Sequence, residues 1–249
     1  MLHINILFIT FEFYSFMKNF FDQFDFQSNR LFGELNSAET RFVHKVMETL
    51  PIKKGGMLFY EEGIPTGVFQ LKSGRAKKFK RGFSGEEQIF YIYTKEDVLG
   101  YHALLGEERY QDSCEALEDL EVNFISKSNF LKLLDDIPRL KQAVVKNISH
   151  EFGVLANTIA VLAQKDQNTR LAIFLLLLEN KFNQFNGYSA GIDLTREDLS
   201  NFIGTSPESL GRSLKQFKDD GIIEIEKRII YIKNREMLLQ FLNLDLTML

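Results

Sequence analysis

Between Ile137 and Gln164, apolar residues recur at spacings of four and three: Leu140, Val144, Ile148, Phe152, Leu155, Ile159 and Leu162. That is the period of one helical face, so the spacing predicts a single long helix with a continuous apolar seam. Such a seam must be covered, either by its own domain or by a second copy. The length of the helix and its place between two regions of different texture favour a second copy. Upstream, from Pro51 to about Ile125, β-type runs such as "GVFQLKSG" and "QIFYIYT" alternate with glycine turns. Many short strands at regular spacing predict an antiparallel barrel or roll, with Gly63, Gly74 and Gly85 at chain reversals. Residues 18–50 read as helical, with Phe20, Phe21, Phe24, Leu31, Phe32 and Leu35 as packing groups and a helix start at Ser37.

Downstream of the seam, "QKDQNTR" is a polar break. "LAIFLLLLENKF" reads as a buried helix, too short to span a bilayer. In "LTREDLSNFIG", Thr195 is an N-cap with Asp198 three residues on, and Leu199, Phe202 and Ile203 face inward. Gly204 supplies a sharp turn. Thr205 or Ser206 caps a second helix, Pro207 sits in its first turn, and Gly221 ends it. Two short helices joined by a glycine turn form a helix-turn-helix. "IIEIEKRIIYIK" then alternates about Lys227 and Arg228, as a hairpin wing does.

On a wheel of about 100° per residue, Leu210, Leu214 and Phe217 share one pole, and Glu208, Arg212 and Lys215 share the other. Arginine can pair with guanine O6 and N7, and glutamate can accept from cytosine N4. Lys215 and Lys218, with Lys227 and Arg228 on the wing, suit phosphates. Thr205, Ser206 and Ser209 complete this DNA-facing surface. The plain alternative is an i,i+4 surface ion pair between Glu208 and Arg212, worth only about 0.3–0.5 kcal/mol. The turn and the wing in the same chain favour DNA reading.

Composition narrows the remaining classes. The 249 residues carry a net charge of -4 and are 45% hydrophobic, enough for two modest domains. Any basic surface must therefore be local rather than global. One cysteine, Cys114, excludes an internal disulfide framework and a multi-cysteine zinc or iron–sulfur site within one chain. The four histidines (His3, His44, His102, His150) are scattered, and no HExxH, phosphate-loop or GxSxG motif occurs. No catalytic residue or metal ligand is assigned, and the chain does not read as an enzyme. "MLHINILFITFEFYSF" lacks a basic n-region and a cleavage site, and is short for a membrane span. It is read as an extension (1–17) outside the native fold, with Met17 as the true start. The rest divides into an effector β-roll with flanking helices (18–135), a dimerisation helix (136–165) and a winged helix-turn-helix (166–249).

This α+β order of β-roll, long helix and winged helix resembles the Crp/Fnr superfamily of bacterial transcription regulators. "GGMLFYEEG…GVFQLKSGRAKKFK…GEEQIFYIYTKEDVLGYHALLG…CEALEDLEVNFISKSNF" is similar to its cyclic-nucleotide-binding β-roll, and "LTREDLSNFIGTSPESLGRSLKQFKDDGIIEIEKRIIYI" to its winged helix. The resemblance implies base reading by Glu208 and Arg212. Pro207 stands where cyclic-AMP-responsive members have a further arginine, so their DNA sequence is not carried over. It also implies an effector pocket at Gly100, Tyr101, His102, Ala103, Arg109, Tyr110 and Gln111. Cyclic-AMP binders there have Gly-Glu and, further on, Arg-Ser or Arg-Thr. This chain has Gly100-Tyr101 and Tyr110-Gln111, with Arg109 one place off. Standard cyclic-nucleotide binding is therefore not expected, nor is an iron–sulfur cluster, and His102 is read as a structural or surface group rather than a haem ligand. The expected partners are double-stranded DNA with a palindromic operator, a second copy of the chain, and RNA polymerase, in the cytoplasm and away from membranes. The alternative is a small-molecule sensor whose winged helix docks on a protein.

Overall fold

The alternating runs after Met47 fold into two antiparallel four-stranded sheets. The strands are β1 (Glu48–Ile52), β2 (Met57–Phe59), β3 (Gly67–Ser73), β4 (Ala76–Arg81), β5 (Glu87–Tyr93), β6 (Val98–Leu99), β7 (Ser113–Ala116) and β8 (Leu120–Ser126). One sheet has the order β1-β8-β3-β6 and the other β2-β7-β4-β5. Pro51 is tolerated because β1 is an edge strand, where a missing N–H leaves no ladder bond unmade. Gly74 turns β3 into β4 with φ of 80°, and a Cβ there would lie 2.6 Å from that of Leu120. The computed structural model describes residues 17–186 and 191–242. They fall in two units, Phe26–Phe152 and Gly153–Leu249 with Met1–Asp25. Residues 1–16 of the expected extension lie outside the described residues, whereas Met17 is buried and opens a helical stretch over 17–22.

The uniform helical reading of 18–50 needs correction. A 3-10 turn (Ser28–Arg30) and α1 (Ser37–His44) are separate, and β1 begins at Glu48. Asn36, not Ser37, caps α1: its side chain accepts from the N–H groups of Ala38 and Glu39, and the Glu39 carboxylate accepts from the Asn36 N–H. This reciprocal box fixes the start of the helix. A short helix, α2 (Tyr101–Leu105), follows β6 where only loop and strand were expected.

After β8 come α3 (Lys127–Asp136) and the long α4 (Pro138–Gln164). The seam expected along α4 is divided. Leu140 and Val144 are buried in the first unit's own core with Phe130, Leu133 and Ile137, and Ile148 packs against that core. Phe152 and Ile159 are 77% and 64% exposed, and Leu155 and Leu162 are half-buried. The solvent-facing stripe keeps Phe152 and Ile159 of the expected seam and otherwise runs one residue later, through Val145, Ser149, Ala156 and Ala163. The expected seam is broad, and Phe152 and Ile159 lie on the edge furthest from Leu140 and Val144, so one apolar pattern serves two faces.

The second unit is organised about α5 (Gln167–Asn186), in which Leu171 to Leu176 are all buried. Around it lie α6 (Arg196–Ile203), α7 (Pro207–Asp219), the hairpin β9 (Ile223–Glu226) and β10 (Ile229–Ile232), and α8 (Arg235–Gln240). Residues 17–25 belong here: Asp25 pairs with Lys181 at 2.9 Å, and the Arg235 guanidinium lies 5.7 Å from the Phe21 ring centre. No helix among the described residues is long and apolar enough to cross a membrane.

The first unit also buries a polar cluster where α2 meets α4. Tyr101 is 1% and Glu151 2% exposed. The Tyr101 hydroxyl donates to Glu151 Oε1, and Asn147 Nδ2 donates to Glu151 Oε1 at 2.7 Å and to the Tyr101 oxygen at 2.8 Å. Glu151 Oε2 touches His102 Nε2. Burial pushes the Glu151 carboxyl up to about 7, against favourable contacts from Tyr101, Lys78 and Asn147. Burial and the Lys78 charge push His102 down to about 3. Both shifts favour a neutral pair over an ion pair in the pH range between about 3 and about 7.

The signs are opposite. The raised Glu151 keeps a proton that the unfolded chain releases near 4.5, so its contribution to stability falls as pH rises from about 4.5 to about 7. The lowered His102 lacks a proton that the unfolded chain holds below 6.5, so its contribution rises from about pH 3 to about 6.5. Urea unfolding at stepped pH reads each term as a difference. The stability of wild type minus that of Glu151→Gln should decline across pH 4.5–7, and wild type minus His102→Asn should climb across pH 3–6.5. Level differences would contradict the neutral pair.

Candidate nucleic-acid interface

Local chemistry sets the angle between α6 and α7. Thr195 Oγ1 accepts from the Asp198 N–H at 3.0 Å and starts α6. Gly204 ends it with φ of 70°, a left-handed conformation that costs glycine little. Ser206, not Thr205, caps α7 by accepting from the Ser209 N–H at 3.2 Å, and Pro207 occupies the first turn. Leu210, Leu214 and Phe217 are all 2% exposed or less, and pack with Leu199, Phe202 and Ile203 into one apolar interior. Removing one such aromatic side chain costs about 3–5 kcal/mol, so rotation of α7 about its axis is strongly opposed.

That burial leaves Glu208, Arg212, Lys215 and Lys218 on the exposed side. Gly211 lies between them, and a Cβ there would meet nothing within 4 Å. No salt bridge joins Glu208 to Arg212. Arg212 instead donates to Ser209 Oγ at 2.6 Å. The Glu208 carboxyl is held below its usual range by its own backbone N–H and the Ser206 hydroxyl, as befits a carboxylate in the first turn of a helix. Lys215, Lys218 and Lys227 hold no ion pair among the described residues. Lys227 stands at the wing tip with φ of 56°.

Two of the expected DNA contacts also have partners within the chain. Arg228 is held by Asp193 in a two-point pair of 2.5 and 2.9 Å, which offsets its charge and raises its pKa. Asp193 lies in the loop before α6, too far in sequence for local pattern reading to pair the two. The Thr205 hydroxyl donates to Gln167 Oε1 at 2.7 Å and so faces the protein. Gln167 and Asn168, from the polar "QKDQNTR" break, were not among the expected site residues, yet both bond to α7. The signal was present as a cluster of amides with no assigned task.

Among the expected effector residues, Gly100 lies beside Tyr110, a Cβ on it falling 3.4 Å from the Tyr110 hydroxyl, and most of the others are engaged within the fold. Gly100 opens α2 with φ of 90°, Tyr101 and Ala103 are buried, and Tyr101 and His102 contact Glu151 and Asn147 of α4. Tyr110 stacks on Phe59 at 4.1 Å, and burial raises its hydroxyl to about 12. The exposed Arg109 donates to the Glu62 carbonyl, and the Gln111 amide stays among its loop neighbours Glu108 and Arg109. Lys77 and Lys78, buried in β4, are paired with Glu87 at 2.8 Å and Asp112 at 2.9 Å. Phe26 stacks on Tyr91 at 3.9 Å within 6 Å of the Lys78 ammonium, so an aromatic ring from this chain fills part of the interior. Cys114 is buried and its thiol is pushed up by burial. No cluster of three metal-ligating side chains occurs among the described residues.

Residues 49–136 match the cyclic nucleotide-binding domain family, and residues 169–241 match the Crp-like helix-turn-helix domain family. The chain is 30% identical over 208 residues to electron transport regulator A of Shewanella oneidensis, covering 82% of each. It is 30% identical over 186 residues to the transcriptional activator protein Anr of Pseudomonas aeruginosa, covering 73% of this chain and 75% of that one. FixK2 from Bradyrhizobium japonicum shares the fold at a TM-score of 0.72 and 21% identity, over 79% of this chain and 97% of the other. The β-roll, long helix and winged helix-turn-helix, and this likeness along most of the chain, establish that the protein belongs to the Crp/Fnr superfamily of transcription regulators.

Proposed function

We propose that the chain works as a cytoplasmic homodimer whose two α7 helices read an approximately palindromic operator in successive major grooves, about one helical turn apart. The observation that carries this reading is the α7 face itself. Glu208 and Arg212 are exposed and close no salt bridge with each other, beside Lys215 and Lys218. An idle surface helix gains from i,i+4 pairing, whereas this one keeps an acceptor and a donor fork apart. Arg212 reads a guanine, Glu208 accepts from a cytosine, and the lysines with Lys227 fix register on phosphates. Docking of the winged helix on a protein partner is the competing use, and steep salt dependence separates the two. RNA polymerase is the further partner expected once the dimer sits on DNA.

The dimer seam is the exposed stripe of α4. Its spacing of four and three, with Val145, Phe152 and Ile159 more than half exposed, fits a coiled-coil partner of the same sequence. Communication from the β-roll to DNA would then pass along α4, which carries both the Glu151 cluster and Phe152. The filled interior, and the pairing of the buried Lys77 and Lys78 with carboxylates, support a roll that does not take a cyclic nucleotide in the standard way, because these two cations are already committed within the chain.

Selection from a random DNA pool supplies the operator. Arg212→Ala should weaken binding to it by about tenfold or more while leaving non-specific binding nearly unchanged, as loss of a bidentate base contact of about 1–3 kcal/mol requires. Lys215→Ala should weaken specific and non-specific binding alike and reduce the salt slope by about one. Equal affinity and specificity for Arg212→Ala would sink the reading role. In sedimentation, Phe152→Glu should be a monomer at concentrations where wild type is a dimer, and should lose operator binding. A dimeric Phe152→Glu would remove α4 as the interface.

A further inference from the structure

The polar "QKDQNTR" stretch, which the DNA-reading account leaves without a task, braces the reading helix. We infer that Gln167 is a positioning residue for DNA recognition, fixing the orientation of α7 through a continuous chain of amide and hydroxyl hydrogen bonds. The inference rests on the proposed reading role of α7.

Gln167 is the first residue of α5, and its side chain is fully used. Nε2 donates to the Ser209 carbonyl at 2.8 Å and to Ser213 Oγ at 2.7 Å, and Oε1 accepts from the Thr205 hydroxyl at 2.7 Å. Ser213 Oγ in turn donates to Asn168 Oδ1 at 2.6 Å, and Asn168 Nδ2 donates to Gln216 Oε1 at 3.2 Å. One amide therefore grips the turn, the first turn and the middle of α7, and a second grips its following turn. Donor directions form a single file, Thr205 to Gln167 to Ser213 to Asn168 to Gln216, so each link fixes the next. Ser213 is 5% exposed, and breaking the file leaves a buried hydroxyl and amide short of partners.

The brace reaches both neighbouring elements. Asp166 caps α5 by accepting from the N–H groups of Asn168 and Thr169 and from the Thr169 hydroxyl, which hold its carboxyl below the usual range. Arg170 donates to the Lys165 carbonyl at 3.0 Å and, through its other terminal nitrogen, to the Gly204 carbonyl at 3.0 Å. The junction after α4 is thus tied to the turn that precedes α7. Ser209, whose carbonyl Gln167 holds, is also the residue whose hydroxyl holds Arg212. A shift of α7 against Gln167 displaces the guanidinium relative to a base edge, while lysines on flexible stems still reach phosphates.

The test measures full-length Gln167→Ala, Arg212→Ala and the double variant on the selected operator and on unrelated duplex. Gln167→Ala should lose about tenfold in operator affinity, the range of one base contact, with non-specific affinity within about twofold and an unchanged salt slope. Arg212→Ala should cost less in the Gln167→Ala background than in wild type. Thr205→Val, which removes one link and keeps the side-chain shape, should move specificity in the same direction by less, and serves if Gln167→Ala folds poorly. A specific-to-non-specific ratio equal to wild type in both Gln167→Ala and Thr205→Val, with only a lower melting temperature, would overturn the inference by making the network purely structural. If Arg212→Ala alone is neutral, the reading role of α7 fails instead, and the inference falls with it.

Discussion

Burial of Leu210, Leu214 and Phe217 against α5 and α6 decides which side of α7 meets solvent, and much else in the molecule depends on that choice. Helical geometry sends Glu208, Arg212 and Lys215 to the opposite side once those three are buried. An apolar stripe cannot set the helix's position along its axis as tightly as its rotation, since slippage exchanges similar contacts. Directional bonds do that: the Ser206 cap, the left-handed Gly204, and the amides of Gln167 and Asn168. The charged face is therefore held by an apolar grip behind and polar bonds at its base, and no salt bridge joins Glu208 to Arg212 across it.

The β-roll is built on the reverse logic. Its interior cations are neutralised by near neighbours, its aromatic rings stack on one another, and the one carboxyl that α4 sends inward has its pKa raised by burial. A buried charge without a partner would be too costly, which is why Lys77 and Lys78 each hold a carboxylate. α4 belongs to both schemes. Its early turns complete the roll's core through Leu140 and Val144, and its outer stripe leaves Phe152 and Ile159 to solvent.

Local rules made the winged helix legible from sequence, because caps, the glycine turn, Pro207 and period-2 alternation all act within a few residues. The strand region was legible for the same reason. The seam on α4 was read as one face because apolar spacing does not say which residues a neighbouring domain claims. Leu140 and Val144 went to the core, and the exposed stripe kept Phe152 and Ile159 but otherwise shifted by one position. Arg228 looked like a free wing cation until Asp193, 35 residues away in sequence, was seen to hold it. Gln167 and Glu151 were not picked out because neither carries a motif. Their roles come from partners about 40 and 50 residues distant, which only the fold brings together.

The central claim is that Arg212 meets a guanine through its major-groove edge. The most direct measurement replaces each guanine of the selected operator, one at a time, with 7-deazaguanine, which lacks the N7 acceptor but keeps Watson–Crick pairing. Wild type should lose about tenfold in affinity at one position of each half-site, and Arg212→Ala should be indifferent to the same replacement. Wild-type affinity unchanged at every guanine, or an equal loss in wild type and Arg212→Ala, would contradict it.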